Sequence, residues 1–236
     1  MSDRYVPGSY GQFCPVAMAA EVLCTRWTVI LLRELIAGST RFNELRRGVP
    51  RMSPALLSTR LKELEQAGIV SRSPAPEPGV YEYRLTSAGE DLRDVVMSIG
   101  NWGQRWVDTQ LSLKNLDPSL LMWDVRRNLD TTPMPKRKCV IQFIYGGLIP
   151  KRRNWWLIVA PEMPVDLCSV DPGLNVDLFV TCELKTMTAV WMGLTTVTAE
   201  IQDERLVLTG DAELSRSIQV WLGLSPFARE KKRVAG

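Results

Sequence analysis

The stretch RFNELRRGVPRMSPALLSTRLKELEQAGIVSRSPAPEPGVYEYRLT, residues 41–86, decides the fold of the N-terminal half. Arg41 to Arg47 reads as a short helix with Phe42 and Leu45 turned inward and its arginines left for solvent or phosphate. Gly48-Val49-Pro50 breaks it. Ser53 is a good N-cap, and Pro54 suits the first helical position, where an amide hydrogen would have no intrahelical acceptor. A second helix therefore begins at Ser53. Leu57, Leu61 and Leu64 recur at i, i+4 and i+7 as one apolar stripe, and Gly68 supplies a left-handed stop. Ile69 to Arg72 and Val80 to Leu85 then alternate as strands around a proline-rich tip, Pro74 to Gly79.

At about 100° per residue, the face opposite the leucine stripe carries Ala55, Ser58, Thr59, Lys62 and Gln66. Such small or hydrogen-bonding side chains fit the roughly 12 Å major groove of DNA, where hydroxyls bond base edges, methyls touch thymine and lysine reaches guanine or phosphate. An ordinary solvated helix face has the same look in isolation. The neighbourhood favours DNA: between Arg41 and Arg60 five arginines stand against one acid, Glu44, and Arg72 and Arg84 flank the hairpin. Helix, turn, helix and hairpin in this order make a winged helix-turn-helix. The expected partner is double-stranded DNA, touched by Arg41, Arg46, Arg47, Ser53, Ala55, Ser58, Thr59, Lys62, Arg72 and Arg84.

Phe42-Asn43-Glu44-Leu45, Met52-Ser53 with Leu57 to Leu64, Gly68-Ile69-Val70 and Tyr83-Arg84-Leu85-Thr86-Ser87-Ala88-Gly89 together resemble the HxlR family of bacterial winged-helix regulators. Cys14-Pro15 and Arg26-Trp27-Thr28 upstream, with Asn101-Trp102-Gly103 downstream, extend the resemblance over roughly the first 110 residues. It departs at Cys24-Thr25, where the family usually has a glycine-rich turn. The resemblance implies a transcriptional regulator, a repressor more readily than an activator, that dimerises through its terminal helices.

With 236 residues, 45% hydrophobic and 23% charged, the chain is long enough for two hydrophobic cores. The formal net charge is only +3, so the case for nucleic acid rests on the local arginine cluster. No apolar run of about 18 residues and no basic-then-apolar N-terminus occurs, so a cytoplasmic protein without membrane partners is expected. The five cysteines form no C-x-x-C pair and there is no histidine, which argues against a metal site and against Ser-His-Asp or Cys-His catalysis. No dinucleotide or Walker glycine motif is present, so no cofactor and no enzymatic function is expected.

Residues 1–13 read as an arm. Val16 to Leu23 and Trp27 to Ala37 have helical spacing, the latter burying Trp27, Ile30, Leu31 and Leu35 before Gly38. Thr86 caps a longer helix whose apolar positions Leu92, Val95, Val96, Ile99, Trp102 and Trp106 are nearly heptad-spaced. This stripe serves either the domain's own core or a dimer seam, and the family resemblance points to the seam. A homodimer would present two reading helices about 34 Å apart to a palindromic operator.

From Asp117-Pro118 the composition changes, and the expected domains are 1–113 and 114–236. A helix over Ser119 to Leu129 precedes strand-like runs at Cys139–Tyr145, Trp155–Ala160, Asp166–Val170 and Val176–Cys182, read as a meandering sheet. Helical periodicity over Glu183–Met192 and Asp211–Leu222 brackets another strand at Arg205–Thr209, giving an α+β layer and an α+β chain overall. Met187-Thr188-Ala189-Val190-Trp191-Met192-Gly193 and Leu206-Val207-Leu208-Thr209-Gly210-Asp211 resemble sterol carrier protein domains of the lipid-transfer type. That resemblance implies a small hydrophobic ligand in a tunnel lined by Phe143, Trp156, Phe179, Met187, Val190, Trp191, Leu222 and Phe227. Taken one at a time, each of these residues reads more readily as plain core, and a sequence does not distinguish a filled core from a tunnel.

Cys14 is a redox candidate, because some HxlR relatives sense oxidants or electrophiles at the matching cysteine. With no basic residue beside it, the sequence favours a buried structural thiol. The basic runs Lys136-Arg137-Lys138, Lys151-Arg152-Arg153 and Lys231-Lys232-Arg233 read as solvated loops or tails.

Overall fold

A computed structural model describes residues 9–108, Leu113 and residues 116–233. Most of the expected N-terminal arm and most of the stretch around the expected domain boundary lie outside the described residues.

In the N-terminal unit, α1 (Pro15–Leu23) and α2 (Thr28–Ile36) lead into α3 (Phe42–Gly48) and α4 (Pro54–Gln66). The hairpin of β1 (Val70–Pro74) and β2 (Tyr81–Leu85) follows, then α5 (Ser87–Trp106). Leu31, Leu32, Leu45, Leu57, Leu61, Leu64, Val70 and Val96 close one apolar core. Within α2 the buried stripe is Thr28, Leu31, Leu32 and Leu35, spaced i, i+3, i+4 and i+7; Ile30, expected inside, falls off that stripe and is exposed. Trp27 is half-buried and sits just before the helix at φ +79°, a left-handed conformation rare for a bulky side chain. Near Cys24-Thr25, where the sequence departs from the family's glycine-rich pattern, the left-handed residue is thus Trp27.

Helix ends follow the local chemistry. The Ser53 Oγ accepts the Leu56 amide at 3.2 Å, and Glu44 reaches back to accept the Thr40 and Arg41 amides at 2.9 and 3.1 Å. Gly68, at φ +71°, lets the amides of Gly68 and Ile69 return to the Glu65 and Leu64 carbonyls, satisfying the last turn of α4. The Thr86 Oγ1 accepts the Gly89 amide at 3.2 Å, the expected cap of α5.

The C-terminal unit contains α6 (Pro118–Asn128), β3 (Cys139–Gly146), the single turn α7 (Pro150–Arg153), β4 (Asn154–Val159), β5 (Asp166–Cys168) and β6 (Leu178–Glu183). It continues through α8 (Leu184–Trp191), α9 (Val197–Gln202), β7 (Leu206–Gly210) and α10 (Ala212–Trp221). The sheet order is β5-β4-β3-β6-β7. The expected meander holds within β3-β4-β5 and within β6-β7, but β6 returns parallel to β3, so the chain crosses over between β5 and β6. Ile141, Phe143 and Tyr145 alternate onto the face covered by Met122 and Val125 of α6, Met187 and Val190 of α8, and Ile218 and Trp221 of α10.

The division between the two compact units falls at Ile99/Gly100, within α5, and not at the expected 113/114. The cause is the C-terminal tail, which packs on residues 100–107. A Cβ on Gly100 would stand 2.2 Å from the Phe227 ring. The Arg105 guanidinium pairs with Glu230 at 2.6 Å, and the Lys232 ammonium donates to the Val107 carbonyl at 2.6 Å. Other basic runs are likewise used by the fold: Arg137 bridges Asp177 and Asp211 at 2.7 and 2.8 Å, and Arg152 meets Asp117 at 2.8 Å.

Candidate nucleic-acid interface

Burial of Leu57, Leu61 and Leu64 fixes the rotation of α4 and so leaves Ala55, Ser58, Thr59, Lys62 and Gln66 exposed together. Within this face the Thr59 hydroxyl is already engaged, donating to the Ala55 carbonyl at 3.0 Å. Ser53 stands at the leading end, its Oγ accepting the cap bond. Arg60, one position round the helix, does not belong to the face. Its Nε donates to the Arg26 carbonyl at 3.2 Å and its guanidinium pairs with Glu63, so it fastens α4 to the turn before α2.

Arg46 and Arg47 are exposed in the last turn of α3. Arg41 is placed differently from expectation. Its Nη2 meets Glu77 of the hairpin tip at 2.7 Å, and this bond raises the Arg41 pKa and holds Glu77 below the usual carboxylate range. Arg72 lies with its guanidinium carbon 3.6 Å from the centre of the Tyr81 ring, and Arg84 pairs with Glu82 at 2.6 Å. Each of these arginines thus has a partner within the unit. The sequence reading passed over Glu77 and Glu82. The signal was available: Arg84 and Glu82 stand two apart on one strand and so share a face. Between α3 and the hairpin lies an open cleft of about 490 Å³, lined by Arg41, Phe42, Asn43, Arg47, Tyr81 and Tyr83.

Cys14 is exposed at the position preceding α1, contrary to the buried thiol expected. The backbone amides of Ala17 and Val16 lower its pKa by favouring the thiolate. The helix starts at Pro15, one residue before the expected Val16, which makes Cys14 its N-cap residue. Cys139 and Cys182, by contrast, are buried, and burial raises both thiols, Cys182 to about 12. Among the described residues no group of three or more acidic or cysteine side chains could hold a metal ion.

The residues expected to line a ligand tunnel divide between the two faces of the sheet. Phe143, Met187, Val190, Trp191 and Leu222 join the helix-covered core. Strand register pairs Phe143 with Trp155, not Trp156, while Trp156 and Phe179 flank Gln142 on the opposite face. Phe227 lies in the tail against Gly100. A single tunnel on the helix side is therefore not lined by all eight, and Trp155 is the aromatic that sequence reasoning missed. No single described helix is long and apolar enough to cross a membrane; α1 and α2 together reach the length but are bent by 82°.

Arrangement and sequence agree on the class, a winged helix-turn-helix. The family model for HxlR-like helix-turn-helix proteins matches residues 22–111. The HTH-type transcriptional regulator YvaP of Bacillus subtilis is 38% identical over 99 residues, covering 41% of this chain and 92% of that protein. A second Bacillus subtilis regulator, YdeP, is 35% identical over 96 residues, 40% of this chain and 75% of that one. The solved reduced form of the transcriptional regulator YodB from B. subtilis is 36% identical, covering 39% of this chain and 93% of that one at a TM-score of 0.35. The chain belongs, through its N-terminal part, to the HxlR-like helix-turn-helix family of transcriptional regulators.

Proposed function

We propose that this protein is a dimeric, cytoplasmic, non-enzymatic repressor whose α4 reads a palindromic operator and whose C-terminal unit senses a small hydrophobic ligand. The observation that carries the reading is the exposed face of small and polar side chains on α4, with Arg46 and Arg47 of α3 and the hairpin in the same unit. Self-association is supported by the exposed Val16 and Met18 of α1 and by Val95, Ile99 and Trp102 of α5, large apolar groups that a lone subunit leaves in water. Ligand sensing rests on the resemblance of residues 187–193 and 206–211 to sterol carrier protein domains. Coupling requires a ligand that binds one dimer geometry more tightly than the other.

Titration of labelled duplexes at several salt concentrations tests the DNA-reading claim. Lys62→Ala weakens binding, whereas Arg46→Ala lowers affinity alike for all sequences and reduces the salt slope by about 0.9. An unchanged slope excludes a phosphate contact at Arg46. Native mass spectrometry of protein purified from its host tests the ligand and the dimer together, the supporting result being a dimer mass carrying a co-purified hydrophobic molecule.

A second reading is favoured by the exposed thiol of Cys14 and the backbone amides that lower its pKa. On it, the protein senses oxidants or electrophiles at Cys14 and the C-terminal unit serves interaction. Mass spectrometry after mild oxidation separates the two: an unmodified Cys14 in protein that still binds DNA removes the thiol-sensing version.

A further inference from the structure

Building on the DNA-reading proposal, we infer that Ala55 and Thr59 form a two-methyl patch that reads the 5-methyl group of thymine. Polar readout then falls to Ser58 and Lys62. A threonine hydroxyl has one hydrogen, and that of Thr59 is donated to the Ala55 carbonyl at 3.0 Å. Its donation to a base edge requires breaking the bond within the helix, so what it offers outward is its methyl, together with an oxygen that can only accept. Ala55 lies four residues earlier on the same exposed face, which brings its methyl beside that of Thr59. The patch interrupts a face that is otherwise polar: Ser58 is exposed and its hydroxyl has no hydrogen bond among the described residues, and Lys62 and Gln66 are exposed beyond it. An apolar spot of this size in a major-groove reader matches one base feature, the thymine methyl, which cytosine and uracil lack.

The test starts from the full-length protein and a pool of random duplexes, from which bound sequences are enriched at fixed salt. Each thymine of the enriched half-site is then replaced singly by deoxyuridine, which removes the methyl and nothing else. At one thymine per half-site the replacement lowers wild-type affinity about fourfold, the effect of withdrawing one methyl from an apolar contact. Thr59→Val, which keeps a methyl and removes the hydroxyl, retains that discrimination. Thr59→Ser, which keeps the hydroxyl and removes one of the two methyls, discriminates thymine from uracil less than the wild type does. Circular dichroism confirms that both variants are folded. Full discrimination by Thr59→Ser, or loss of discrimination by folded Thr59→Val, overturns the assignment. A pool that yields no enriched sequence overturns the DNA-reading proposal itself and the assignment with it; an enriched sequence indifferent to residue 59 overturns the assignment alone.

Discussion

Glu77 shows how one side chain can set the strength of a nucleic-acid surface. Its carboxylate holds Arg41 at 2.7 Å, so an arginine that the sequence offers to the DNA backbone already has an acidic partner at the hairpin tip. Both partners are well exposed, so the pair is weak and exchangeable. Glu77→Gln is therefore expected to raise affinity for every duplex about two- to fivefold and to steepen the salt dependence by about one unit of slope. Fluorescence anisotropy across a salt series measures both, and a flat response means that Arg41 stays away from phosphate. At Cys14 the backbone amides of Ala17 and Val16 favour the thiolate, so the thiol loses its proton at a lower pH than an ordinary cysteine. Its alkylation rate, followed by peptide mass spectrometry, should accordingly rise with pH through a midpoint below that of a free cysteine.

The elements from α3 to the hairpin were legible because each is bounded by residues whose local chemistry leaves little choice. Ser53 with Pro54 starts α4, Gly68 stops it, and the leucine spacing sets its rotation. Ser53→Ala should remove about 1 kcal/mol of stability, read as a lower denaturant midpoint with an unchanged slope. Gly48, read in the sequence only as a helix breaker, has a tighter constraint: a Cβ there would lie 1.8 Å from the Glu34 Oε2, inside the buried core. Gly48→Ala should cost about 2 kcal/mol by overpacking, measurable in the same unfolding experiment. Less legible were contacts between segments distant in sequence. Nothing in Asp166–Cys168 or Leu178–Glu183 says that β6 skips its predecessor and pairs parallel with β3. Likewise, adjacent tryptophans at Trp155 and Trp156 satisfy either strand phase, and only the register with Phe143 decides which enters the core. Cap and stripe signals are local; strand partners are chosen by the packing of the whole sheet.

At the scale of the molecule, two separate apolar cores predict unfolding in more than one step. Leu61→Ala and Ile141→Ala, each removing a fully buried or nearly buried side chain, should move different transitions in a calorimetric scan. A charge on the exposed stripe of α5, as in Ile99→Glu, should yield monomers by analytical ultracentrifugation and weaken binding to a palindromic duplex far more than to a single half-site. The fastening of α4 by Arg60 to the Arg26 carbonyl, next to the left-handed Trp27, has a consequence for how such proteins diversify. Attachment and the proposed recognition face lie on different sides of one helix. Ala55, Ser58, Thr59 and Lys62 can therefore drift after gene duplication, or be randomised in a library, without loosening the helix that carries them. Arg60, although it neighbours them in sequence, is the position that retargeting must leave alone.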